Sequence, residues 1–80
     1  MENIKLITKE LNGKKIAYTN ETLFEVQLGK GSSSYKTRYS FKGDLGKAVF
    51  HYNCLNIGNG YKKRLRAQGM NKPILARQFS

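Results

Sequence analysis

The sequence predicts an α+β domain: a small antiparallel sheet of about four N-terminal strands, one helix near residues 45–57, and a C-terminal basic hairpin or strand. Three observations carry that prediction. Asn12-Gly13 separates two short strand-like segments, and Asn-Gly is the strongest short-range hairpin signal because both residues accept positive φ. Two later segments alternate apolar and polar residues with a period of two, as a half-buried strand does. After Asp44 the apolar residues fall instead at helical spacing.

The elements follow in order. "NIKLITKE" is apolar at Ile4, Leu6 and Ile7, and "KKIAYT" returns after the Asn-Gly turn. "TLFEVQLG" sets Phe24, Val26 and Leu28 on one face and Glu25 and Gln27 on the other. "GKGSSS" is a loop by composition. "YKTRYSFK" alternates Tyr35, Thr37, Tyr39 and Phe41 against Lys36, Arg38, Ser40 and Lys42, so one face is expected in the core and three cations in water. Asp44 suits a helix N-cap. Leu45, Ala48, Val49, Tyr52 and Leu55 follow at helical spacing, and Gly58 suits the C′ position. A strand competes for this segment because "AVFHYNC" is rich in β formers; the flanking cap signals favour the helix. "YKKRLRA" and "PILARQF" then form two strands. Tyr61, Lys63, Leu65 and Ala67 share one face of the first, and Lys62, Arg64 and Arg66 share the other. Pro73 cannot donate to a ladder, so it belongs at the start of its strand or at an edge.

Length and composition bound the rest. Eighty residues make a single domain, 1–80, with a small core. Fifteen Lys and Arg face five Asp and Glu, for a formal net charge of +10. The imbalance is concentrated: residues 1–44 hold eight cations and all five acids, while residues 45–80 hold seven cations and no acid. Such a field attracts polyanions or acidic protein surfaces. Cys54 is the only cysteine, so no intramolecular disulfide forms. The N-terminus has no apolar core of a signal peptide, and no run of about 18 apolar residues is present, so a cytoplasmic protein with no membrane partner is expected, in the host cytoplasm if phage-encoded. A dimer is compatible with so small a core. Phe, Tyr, Ile, Asn and Lys supply 32 of the 80 residues, a composition of AT-rich genes such as those of phages and mobile elements.

The basic segment "GNGYKKRLRAQGMNK" dominates the functional reading. Lys62, Lys63, Arg64 and Arg66 place four cations in five residues. Arg forks and Lys point charges satisfy phosphate oxygens, Gly58 and Gly60 let backbone approach closely, and Tyr61 offers a ring for base stacking. Arg77 extends the set. Lys36, Arg38 and Lys42 form a second basic strand face that joins the first if the two lie side by side. Edge protection is the plain alternative for a charged strand. Tyr35, Tyr39 and Phe41 match the period of Phe24, Val26 and Leu28, and a core role is expected of them. His51 and Cys54 lie at i and i+3, too few ligands for a structural zinc site; a buried Cys and a partly exposed His are expected. "GKGSSS" lacks the spacing of a phosphate-binding Walker loop. No cofactor and no metal are implied. "GNGYKKRLRA" is similar over about ten residues to the entry of the last helix of double-stranded RNA binding domains, but that family begins with a helix and this chain with strands, so the family is not assigned.

The expected function is that of a small basic nucleic-acid-binding accessory protein, of the kind phages and mobile elements encode, rather than an enzyme. Five phosphate contacts from Lys62, Lys63, Arg64, Arg66 and Arg77 imply a log–log salt slope of roughly −4 to −5 on duplex DNA. A protein-directed inhibitor that docks on an acidic surface is the first alternative. A toxin-type endoribonuclease, using His51 with Tyr52 or Tyr61 with Arg64, is the second.

Overall fold

The computed structural model describes residues 3–70 and 72–78. Six strands form two antiparallel sheets around one helix: β1 (Leu6–Leu11), β2 (Lys14–Thr19), β3 (Leu23–Lys30), β4 (Lys36–Lys42), α1 (Leu45–Cys54), β5 (Tyr61–Ala67) and β6 (Leu75–Gln78). β1 and β2 make a separate two-stranded ribbon, and the main sheet runs β4-β3-β5-β6. The α+β class, the single helix and the C-terminal strand pair are as the sequence predicts. The correction concerns partnership: the first four strands do not form one sheet, because β3 takes β5 as its second neighbour instead of β2.

Asn12 and Gly13 have φ of 52° and 80°, the double positive φ of a type I′ hairpin turn. The ribbon joins the main body through side chains. Tyr18 meets the Phe24 ring edge-on at 5.0 Å, and Ile7 and Ile16 pack against the same core. That core consists of Tyr18, Phe24, Val26, Leu45, Ala48, Tyr52, Leu65 and Ala67. α1 therefore lies on the sheet face that carries Phe24, Val26 and Leu65. Among the described residues no helix or second sheet lies across the opposite face.

Asp44 caps α1, its carboxylate accepting from the Lys47 amide at 2.9 Å. The helix stops at Cys54, three residues before the predicted end, and Gly58 is not its C′ residue. Leu55 turns to an extended conformation (φ −75°, ψ 108°). A lysine of β5 takes over the capping: Lys63 Nζ donates to the Tyr52 and Leu55 carbonyls at 2.7 and 3.1 Å.

Candidate nucleic-acid interface

β5 is an interior strand, and its alternation divides the basic cluster between two environments. Lys63 pairs with Leu28 and Arg77, on the helix side; Lys62, Arg64 and Arg66 pair with Gly29, Gln27 and Glu25, on the uncovered side. Lys63 is buried. Burial pushes its ammonium below the ordinary lysine range, and the positive Arg77 adds to the fall. It is thus occupied by the helix terminus and is not presented to a ligand, contrary to the expectation from sequence. Arg77 sits across from Lys63 on the same side, so it too is separated from Lys62, Arg64 and Arg66. Burial also raises the Tyr52 phenol above the ordinary tyrosine value, with Arg77 partly opposing.

On the uncovered face the three cations lie flat and interlock with polar neighbours. Gly29 has no side chain, and a Cβ there would stand 2.8 Å from Lys62 Cε. The Lys62 stem crosses that gap, and its ammonium lies 4.6 Å from the Tyr35 ring centre. The Arg64 guanidinium lies 4.0 Å from the same ring and bonds the Gln27 side-chain oxygen through Nε. Gln27 in turn donates to Thr37 Oγ1, and Thr37 to Glu25. Arg66 Nε is 3.7 Å from Glu25 Oε1 and is buried without a hydrogen-bond partner. The result is a positive surface that includes the Glu25 carboxylate. Tyr35, expected in the core, belongs to this surface instead, as do Gln27, Thr37 and Glu25, which were absent from the candidates read in the sequence. The alternation of β3 already put Glu25 and Gln27 together; only the pairing of β3 with β5 brings them under the arginines.

The second basic strand is divided by a bulge. Val26 faces Tyr39 and Gln27 faces Thr37, which leaves Arg38 without a partner residue. Such an extra residue reverses the alternation on either side of it. Lys42 therefore takes the uncovered side, in an ion pair with Glu21 at 2.8 Å. Lys36, opposite Leu28, takes the helix side. The expected common face of Lys36, Arg38 and Lys42 does not form.

The aromatic residues also separate. Phe41 packs on the core, Tyr35 supports the cations described above, and Tyr39 is exposed. Tyr39 and Phe41 flank His51 at 5.1 and 4.8 Å between ring centres. Phe50, 61 % exposed, continues that aromatic ledge along α1. Cys54 is exposed rather than buried, and no cluster of three metal-ligating side chains occurs among the described residues. Tyr61 is on the helix side and Arg64 on the uncovered side; Tyr52 is buried beside the half-exposed His51. Neither pair considered for RNA cleavage converges on one point. No helix among the described residues is long and apolar enough to cross a membrane. No family model, curated protein or solved structure matches this chain.

Proposed function

We propose that this chain is a small nucleic-acid-binding accessory protein that contacts phosphates through the uncovered face of its main sheet. One observation carries the reading: Lys62, Arg64 and Arg66 all emerge from an interior strand onto a face that no other element covers among the described residues. Edge protection explains cations on edge strands, and β5 is not one. Three side chains two residues apart repeat at about 6.7 Å along a strand, a ladder of charge suited to a polyanion backbone. With the Tyr35 ring taken up by two cations, phosphate contact outweighs base stacking and sequence preference is weak.

Fluorescence anisotropy with labelled duplex DNA, single-stranded DNA and RNA across salt concentrations tests this. Three phosphate contacts give a log–log slope of about −3 on duplex and about −2 on single strands, shallower than the five-contact expectation because Lys63 and Arg77 lie elsewhere. No binding even at low salt would overturn the reading.

The aromatic ledge supports the second reading, a modulator of an acidic protein. Exposed Tyr39 and Phe50, near Lys47 whose ammonium lies 5.7 Å from the Phe41 ring centre, have the aromatic and cationic character of interface anchors. Tight binding to a single protein alongside feeble nucleic-acid binding distinguishes it.

A further inference from the structure

Apart from Tyr35, the loop between β3 and β4 lies outside that surface, and it frames a second feature. An open depression of about 290 Å³ lies there, lined by Lys30, Ser33, Ser34, Lys36 and Tyr61 over Leu28. It stands at the end of the sheet on the helix side, because Leu28, Lys30, Lys36 and Tyr61 all occupy that side in the register. Lys36 reaches it only because of the bulge at Arg38; unbroken alternation would have put it beside Lys42. Bulges commonly re-aim a side chain in this way next to functional sites.

The loop is tied down. The Gly31 amide donates to the Gly60 carbonyl at 2.7 Å, and the Ser33 amide to the Lys30 carbonyl at 2.9 Å. Lys30 Nζ is 5.5 Å from the Tyr61 ring centre, a contact that leaves its three N–H donors available. No carboxylate lines the depression. Two lysines, two serines and a tyrosine thus line one depression over Leu28 and Gly29.

We infer that this depression is a binding site for a phosphate monoester. The donor set exceeds what one carboxylate uses, whereas a phosphate dianion offers three strong acceptor oxygens. The volume leaves space beside the phosphate for an attached sugar, with Tyr61 as a wall. Two sources share this chemistry, a free nucleotide or sugar phosphate and the 5′-phosphorylated end of a nucleic acid.

The test is a titration of the ¹⁵N-labelled full chain with inorganic phosphate, adenosine 5′-monophosphate and adenosine, following backbone amide shifts. Phosphate and the monophosphate are expected to give saturable shifts at residues 29–36 and at Tyr61, and adenosine none. Lys36→Met should weaken the monophosphate by roughly tenfold through loss of one charge-assisted contact. Ser33→Ala with Ser34→Ala should weaken it without altering charge. Lys9→Met, in the N-terminal ribbon, should leave it unchanged. Absence of saturable shifts there, an equal response to adenosine, or equal weakening by Lys9→Met would overturn the site. A polymer arm identifies the source. Preference for a 5′-phosphorylated over a 5′-hydroxyl oligonucleotide names the nucleic-acid end, and equal binding of the two names the small phosphate; both results retain the site. The monophosphate titration does not depend on the polymer reading, so either can fail alone.

Discussion

The Lys63 ammonium donates to the Tyr52 carbonyl at 2.7 Å while lying 4.4 Å from the centre of the Tyr52 ring. One lysine from the sheet thus closes the helix terminus and covers the aromatic side chain that anchors that terminus in the core. A cation at the carbonyl end of a helix also complements its dipole.

Replacing Lys63 by Met keeps the stem and removes the donor. The unfolding free energy should fall by about 1–2 kcal/mol, measured by urea denaturation, with the last turn of α1 fraying first. The salt slope of nucleic-acid binding should not change. A slope that drops with Lys63→Met would place this lysine among the ligand contacts after all.

Tyr52 sets a limit at alkaline pH. Its folded pKa is raised by burial, so above the unfolded value of about 10 the unfolded chain loses its phenolic proton first. Stability from this group is complete below that value and declines as pH rises through the folded pKa. Lys63 acts oppositely: with its folded pKa lowered, it adds stability as pH rises from that value towards about 10.4. In Lys63→Met the alkaline decline should therefore be steeper than in the parent. The absorbance step at alkaline pH that disappears in Tyr52→Phe should be centred above 10; a step centred below it contradicts the assignment.

Glu25 is the acid beside Arg66 on the uncovered face. Glu25→Gln removes the charge beside Arg66 and retains a polar partner for Thr37. Affinity for single-stranded nucleic acid at low salt should rise roughly threefold to tenfold, as expected for freeing one cation. Unchanged or weaker binding would show that Arg66 does not meet the polymer.

Arg64→Ala and Arg66→Ala should each lower the magnitude of the salt slope by about one while affecting all sequences alike. Circular dichroism guards against the trivial outcome, since Arg64 also packs on Tyr35. A steep slope surviving in the double variant would move the binding surface to another part of the chain.

Gly43 follows β4 with φ of +68°, and a Cβ there would run into the backbone of Asn20. Its amide also donates to the Thr22 carbonyl at 2.7 Å. Gly43→Ala should cost about 2 kcal/mol or more, since strain in φ and a backbone clash coincide. Thermal unfolding reads it directly. A cost under about 0.5 kcal/mol, typical of ordinary surface changes, would contradict this account.

Local chemistry made much of the fold legible. Asn12-Gly13 dictated its turn, Asp44 its cap, and the strict alternation of β3 and β5 assigned Phe24, Val26 and Leu65 to one face. Strand order was not legible, because nothing local tells β3 to take β5 as its second neighbour. The bulge was equally silent: Lys36, Arg38 and Lys42 look evenly spaced, and only pairing with the shorter stretch of β3 expels Arg38 from register. Lys63 is the instructive case. Its alternation with Leu65 already implied a shared face, and an apolar neighbour that must be buried takes the lysine inward with it. Its bonds to the end of α1 rest on tertiary packing that spacing does not encode.

Among the described residues the N-terminal ribbon has no ladder bonds to the main sheet. It is held by the Tyr18–Phe24 contact, by Ile7 and Ile16 against the core and by the Thr19–Thr22 turn, and it borders the β5–β6 connection across a depression lined by Leu11, Ile16, Met70 and Ile74. Sub-global opening follows such seams. The amides of β1 and β2 should therefore exchange with solvent water through a separate, cheaper opening than those of β3 and β5, and limited proteolysis should cut this ribbon before the four-stranded sheet.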